Sequence, residues 1–471
     1  MAASMLPTMT SCTQAEQPKK AKYVFYFITD GTGVNTVQGT EYYLAQKEGV
    51  IGRKPLCMTS LPVVGVSATW SASSDVTDSA ASGTALASGK KTYNGAIGVA
   101  TDTVTPVLSL AQRAHDAGMA VGVGSTTPVN HATPAAEFAH QKSRNDYFEI
   151  ASQMTTAGFD FFGGGSINLQ YPYNTPEVAD SLYAALREAG YTVTFSLDDY
   201  KENGKTADKL VMLQGEVPDS YSIPYWIDRK PGQVTIADQV QAELDLLYRK
   251  SQEKGTGFFL MNEAGGKVDF ACHANDGATA FEEVLACDSC VRIAYNFYLQ
   301  HPDETLIVVT ADHETGGLTL GCNAGGYNIR TQILANQKCS KDESTRHFQA
   351  LRSQTQNKVS YEQVMEQLRA DFGFGDGIKL NGEEEKLIKD IYTRSFVGKM
   401  ANEKNLYSSN EPIVALAVRI LNDRACLGWT TGGHTAGLVP VYACGVGQEL
   451  FMGHNDNAQI ADNIAKIMDL K

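Results

Sequence analysis

The residues to weigh first are the carboxylates, histidines and hydroxyls that stand beside glycine or at the ends of apolar runs. Asp30 follows the apolar run 23–29 and opens Gly31-Thr32-Gly33, where glycine lets the backbone come close to a ligand. By itself an Asp-Gly is equally a plain turn. In Thr77-Asp78-Ser79-Ala80-Ala81-Ser82-Gly83 an Asp and a Ser open a run of small residues that reads as a helix, with Asp78 as its cap. A serine hydroxyl at that point sits where backbone N–H groups and the helix dipole favour negative charge, which suits both an alkoxide and an arriving phosphate. His131 and Thr133 follow the strand-like run 119–124, and Arg144, eleven residues after Thr133, offers a planar fork that can hold a phosphoryl group through two oxygens.

The pattern sharpens further along. Glu263 ends a very apolar run, and Asp269 and His273 follow at a four-residue spacing that places carboxylate and imidazole on one face of a helical turn. The run 305–310 leads into Ala311-Asp312-His313-Glu314-Thr315-Gly316-Gly317, an oxygen-plus-nitrogen pair released into a glycine turn. His434 is presented from Gly432-Gly433. Any one of these histidines could be a surface or satisfied core residue, but all of them follow strand-like runs in the company of carboxylates. Together they exceed what one tetrahedral zinc can use, so two or three cations are implied. Two cations about 4 Å apart can stabilise both the attacking and the leaving oxygen of an in-line displacement at phosphorus. Ser79 would be the nucleophile, activated by a cation instead of a general-base histidine.

Strand-like runs at 23–29, 119–124, 159–162, 192–195, 257–262, 305–310 and 438–444 alternate with helical periodicity at 106–116, 146–157, 176–189, 236–250, 277–299 and 457–468. That alternation predicts an α/β fold with a mostly parallel sheet covered on both faces, in which ligands sit beyond the carboxyl ends of the strands. From about 323 to 422 the rhythm breaks. This stretch is charged, has helical patterns at 361–371, 383–393 and 411–422, shows no buried parallel strand, and reads as an insertion within one domain spanning 21–471.

The chain has 471 residues, 43% hydrophobic and 20% charged, and a formal net charge of -14 that repels a nucleic-acid backbone. No run of eighteen apolar residues occurs, so no transmembrane helix is expected. Residues 1–20 read as the end of a lipoprotein signal and a polar tether, with Cys12 as the residue to be lipidated, although a basic stretch before the apolar segment is missing. Removing Cys12 from the nine cysteines leaves eight, an even set compatible with disulfides in an oxidising compartment. Cys287 and Cys290 form a single Cys-x-x-Cys without a second pair, which favours a structural role. His115, His140, His301 and His347 lack carboxylate company, and His454 follows the last strand-like run near enough to be weighed for the site.

These residues resemble the alkaline phosphatase family. The resemblance is carried by Asp30-Gly31, Thr77 to Ala81, His131 to Thr133 with Arg144, Glu263 with Asp269 and His273, Thr310 to Glu314, and Thr431 to Thr435, in the family's order. It implies a three-layer α/β/α fold with a cap- or crown-like insertion, and hydrolysis of phosphate monoesters through a phosphorylated Ser79. It further implies that Arg144 holds the phosphoryl oxygens beside Asp78. Asp269, His273 and His434 would bind one zinc, and Asp312, His313 and Asp30 the second, with Ser79 between them. Asp30, Thr133, Glu263 and His131 would surround a magnesium. His131 stands where the enteric bacterial enzymes carry aspartate, so weaker magnesium binding, or zinc in that place, is expected. The resemblance also implies a homodimer, while the reading of residues 1–20 implies export to the periplasm or outer membrane as a lipoprotein. Within the same fold a phosphodiesterase or phosphomutase is the alternative. A zinc-storing or phosphate-binding protein is a third, against which Ser79 argues.

Overall fold

The computed structural model describes residues 20–215, 221–322 and 325–471. The expected signal remnant, its tether and Cys12 lie outside these residues. Ten strands form the central sheet: β1 Tyr23–Ile28, β2 Val63–Ala68, β3 Ala120–Ser125, β4 Phe161–Gly163, β5 Tyr191–Thr194, β6 Lys209–Met212, β7 Phe258–Glu263, β8 Thr305–Thr310, β9 Val439–Gly445 and β10 Gly453–Asp456. Their order across the sheet is β10-β2-β9-β8-β1-β7-β3-β4-β6-β5. Only β9 runs against the others, pairing antiparallel with both β8 and β2.

The side-chain alternation of the central strands builds two cores. Val24, Tyr26 and Ile28 of β1 point into one layer with Val308, Phe259 and Val123. Tyr23, Phe25 and Phe27 point into the other with Ile307, Val309 and Leu260. Helices Leu110–Asp116, Tyr147–Ala157, Pro176–Glu188 and Asn457–Met468 cover the first layer; Ile236–Lys254 and Gly277–Tyr298 cover the second. This is the expected three-layer α/β/α arrangement. Every residue of β1, β7 and β8 is buried, and such unbroken apolar runs are what a parallel sheet covered on both faces requires.

The predicted strands and helices are present with ends shifted by a few residues, and several elements were not predicted. The helix expected from residue 106 begins at Leu110, because Ser109 and Gln112 close a capping box there. The strands β2, β6 and β10 and the helices Val34–Lys47 and Lys341–Gln354 are additional. Val34–Lys47 buries Thr36, Thr40 and Glu41, which hides its apolar face from a periodicity reading.

The segment beyond residue 325 builds a third core from Phe348, Val364, Leu368, Phe372, Ile388, Phe396, Ile413 and Leu421. Its helices are Lys341–Gln354, Tyr361–Phe372, Gly382–Tyr392 and Pro412–Ala425. Two small antiparallel ribbons join it to the sheet: Thr319–Leu320 pairs with Leu427–Gly428, and Glu314–Thr315 pairs with His434–Thr435. The eight described cysteines are all free thiols, so the disulfide set that their even number allowed is not formed. Cys287 and Cys290 lie in the helix Gly277–Tyr298 and are packed into the core. No described helix is long and apolar enough to cross a membrane.

Candidate active site

Four adjacent strands, β8, β1, β7 and β3, deliver the site from their carboxyl ends. Asp312 and His313 follow β8, Asp30 follows β1, Glu263 closes β7, and Ser125 closes β3. Gly31 lies in the left-handed region at φ 71°, and a Cβ there would come within 2.7 Å of Asp269. Only glycine lets Asp30 and Asp269 come this close. Ser79 starts the helix Ser79–Ser88, whose cap is Asp78 accepting from the Ala81 N–H. Asp30, Ser79, Glu263, Asp269, Asp312 and His313 are all 0% exposed.

The predicted ligands fall into the expected groups. His313 Nε2 lies 3.2 Å from Asp312 Oδ2, 3.4 Å from Asp30 Oδ1 and 3.2 Å from Ser79 Oγ. His273 Nε2 lies 3.3 Å from Asp269 Oδ2 and 3.1 Å from His434 Nε2. The outer ring nitrogens are already engaged: His273 Nδ1 donates to Gly432 O at 2.6 Å and His434 Nδ1 to Thr77 O at 2.9 Å. That fixes both tautomers, so both Nε2 atoms carry lone pairs. Two lone pairs facing each other beside a carboxylate describe a cation cage. A third group brings together Asp30, Glu263 and His131, with Thr133 Oγ1 donating to Asp30 Oδ2 at 3.5 Å.

Asp30 Oδ1, Glu263 Oε1, Asp269 Oδ2 and Asp312 Oδ2 are buried without a hydrogen-bond partner among the described residues. Burial, with Asp312, Asp269 and Glu263 close by, pushes the Asp30 carboxyl well above its ordinary range, and burial together with Asp269 pushes Asp312 up to about 7. Burial also raises the Asp269 carboxyl, but the ion pair with His273, helped by His434, outweighs it and holds it well below the usual carboxylate range. Burial, helped by His434, drives His313 well below its ordinary value, so this imidazole is neutral. Asp30, Glu263 and Asp312, withdrawn from water side by side, lack the pairing that buried anions need. The donor set therefore fits metal ions, with carboxylate and imidazole ligands suited to zinc and an all-oxygen set of Asp30, Thr133 and Glu263 suited to magnesium.

Arg144 stands half-buried at the mouth. Its Nη1 donates to Asp78 Oδ2 at 3.1 Å, and its Nη2 donates to His131 Nε2 at 3.2 Å. Asp78 Oδ2 also accepts from the Gly95 N–H. Asp78, expected to bind substrate, thus holds the guanidinium in place. Because a guanidinium can only donate, His131 Nε2 is an acceptor and its proton sits on Nδ1. Burial and Arg144 push this imidazole down to about 3. His131 Nδ1 is buried without a hydrogen-bond partner among the described residues.

Other residues complete the site. Ser125 and Thr127 both donate to Glu263 Oε2; polar residues following a strand were a signal that could have found them. Tyr407, from the segment beyond 325, stacks its ring on Phe270 at 3.8 Å, and nothing local in the sequence marks it. Arg144, His131, Tyr147, Phe270 and Tyr407 line a cavity of about 740 Å³ next to the ligand groups. His454 lies on the edge strand β10, exposed and outside these groups.

A sequence profile described as alkaline phosphatase matches residues 21–172 and 182–470. Alkaline phosphatase 3 of Bacillus subtilis (strain 168) is 30% identical over 468 residues, which cover 96% of this chain and 91% of that protein. The crystal structure of a cold-active alkaline phosphatase from a psychrophilic Shewanella superposes with a TM-score of 0.77 at 30% identity, covering 95% of this chain and 99% of the other. A histidine-to-glutamate mutant of the TAB5 alkaline phosphatase, with magnesium bound in its M3 site, superposes with a TM-score of 0.66 at 25% identity over 97% of this chain and 100% of that one. The profile spans nearly all of the described chain and the relatives match it over almost their whole length, so the chain is a phosphatase and belongs to the alkaline phosphatase family.

Proposed function

We propose that the chain hydrolyses phosphate monoesters by way of a phosphoserine on Ser79, using two zinc ions and a third cation. The observation that carries this reading is the convergence of unpaired, fully buried ligand atoms on either side of Ser79, with the Arg144 fork beside them. Asp269, His273 and His434 would hold one zinc and Asp30, Asp312 and His313 the other; Asp30, Thr133 and Glu263 would hold magnesium. When bound, the cations supply Lewis-acid charge that stabilises the serine alkoxide and the leaving oxygen.

The chain's own residues do the rest. Asp78 and the Gly95 amide fix the loop and the guanidinium, so Arg144 can grip two phosphoryl oxygens without reorganising. Ser79 Oγ attacks phosphorus as the ester oxygen departs on the opposite side, releasing the alcohol. Water then attacks the Ser79 phosphoester, releasing inorganic phosphate and restoring the hydroxyl. The helix beginning at Ser79 points its amino end at the reacting group and favours the negative charge there.

His131 replaces a carboxylate at the third site with a neutral ring, so that site is expected to hold magnesium weakly or to take zinc. The TAB5 structure with magnesium in its M3 site is one in which a histidine has been exchanged for glutamate, which supports this reading. We further read 323–422 as a cap- or crown-like insertion, the protein as a homodimer, and the chain as exported with a lipid anchor at Cys12.

The test is turnover of p-nitrophenyl phosphate against bis-p-nitrophenyl phosphate, before and after chelation and with zinc and magnesium restored. Strong monoester preference, lost on chelation and regained with the metals, is the expected result. Diester preference would overturn the assigned substrate class, and absence of turnover with full metal content would favour a binding protein.

A further inference from the structure

Tyr407 is the residue of the site that the ligand groups and the arginine fork leave without a task. It comes from the small ribbon Glu403–Lys404 and Ser409–Asn410 in the segment beyond 325, yet its ring sits among the ligands. The ring stacks on Phe270, the neighbour of Asp269, at 3.8 Å and 20°, and meets His273 edge-on at 5.3 Å and His131 at 6.1 Å. It shares the wall of the 740 Å³ cavity with Arg144 and His131. Its hydroxyl is buried and has no hydrogen-bond partner among the described residues. Leaving a buried hydroxyl unpaired costs roughly 1–3 kcal/mol. The flat stack on Phe270 holds the phenol in that position.

We infer that Tyr407 is a substrate-binding residue whose hydroxyl donates a hydrogen bond to the phosphoryl group gripped by Arg144. This rests on the monoesterase reading above and deepens it. A phosphate ester offers more oxygens than one guanidinium fork and the serine side can satisfy. Among the described residues lining the mouth, Arg144 is the one cationic side chain, and its neighbour His131 already spends Nε2 on that guanidinium. A phenol adds a donor without adding charge. It therefore strengthens the grip on the dianion without competing with the cations for the carboxylates.

The test is phosphate binding by the zinc- and magnesium-loaded protein, measured by calorimetry with inorganic phosphate, for the wild type and Tyr407→Phe, with KM and kcat for p-nitrophenyl phosphate alongside. Phenylalanine keeps the stack on Phe270 and removes only the hydroxyl. The expected result is phosphate affinity and KM weakened roughly tenfold to a hundredfold, with zinc content and melting temperature unchanged. Tyr407→Ala, which also removes the stack, should lower the melting temperature as well. Equal phosphate affinity in the wild type and Tyr407→Phe would overturn this inference and leave the monoesterase reading intact. A wild-type holoprotein that binds no phosphate would overturn both.

Discussion

The end of the sheet and the helical segment beyond residue 325 solve different problems. At the sheet, Asp30, Glu263, Asp312 and His313 are fully buried and follow or close three neighbouring strands, so their positions are set by backbone ladders that cannot drift independently. The helical segment instead packs around Phe348 and Phe372, in a core it shares with Tyr43, Ala278 and Phe281, and reaches the site through Tyr407 alone among the residues discussed. The contrast teaches that buried ligand groups need rigidity, which parallel strands supply, whereas the wall of the cavity beside them can come from an element outside the sheet.

The hardest blow to the sheet side is Ser79→Ala. It should lower kcat/KM by at least about a thousandfold while zinc content, measured by atomic emission, stays at the wild-type level. If zinc were lost too, Ser79 would be part of the frame and not only the reacting group. On the other side, Phe348→Ala removes a ring that is 0% exposed and packs on Phe396 at 5.9 Å. It should destabilise the helical segment by about 3–5 kcal/mol, seen as faster proteolysis within 341–425, with zinc retained. Zinc loss in step with that cleavage would show that the two regions do not stand apart.

The smallest expected effect probes the frame through pH. Glu137 is fully buried, with one carboxylate oxygen accepting from the Ala111 N–H and the other without a hydrogen-bond partner among the described residues. Burial raises its carboxyl from 4.5 to about 7. The folded chain therefore holds this proton more tightly than the unfolded chain. Its contribution to stability is complete below pH 4.5 and is lost as pH rises through about 7. Between those limits the unfolding free energy of the wild type should fall relative to Glu137→Gln by on the order of 2–3 kcal/mol. Parallel curves in denaturant titrations at pH 5 and pH 8 would sink the assignment.

Much of the sheet side was legible in the sequence because it is local. β1, β7 and β8 are continuous apolar runs, and the residues that follow them are of types rarely placed there without a reason. The strand β10, Gly453–Asp456, was not legible, since an edge strand of Gly-His-Asn-Asp carries no apolar signature. Neither was β2, where Gly65 and alternating exposure break the run. The helix Val34–Lys47 was hidden by the polar residues it buries. At the site, the candidate ligand residues were readable from their type and their place after apolar runs, whereas their sorting into groups came from the family resemblance. The tautomer of His131 was not, because it depends on Arg144 approaching from another element. Tyr407 was invisible for the same reason: its role depends on a stack with Phe270 across the fold.

The ribbon pairing Glu314–Thr315 with His434–Thr435 also acts as a splint. It ties His313, in one cation group, to His434, in the other, across more than a hundred residues of intervening chain. Because the splint fixes the spacing of the two imidazoles, the length of chain spliced between them does not set it. The entropy of closing that excursion grows only slowly with its length. Residues between the ribbons could therefore be added or removed, reshaping what reaches over the substrate, while the distance between the two groups of ligands stays the same.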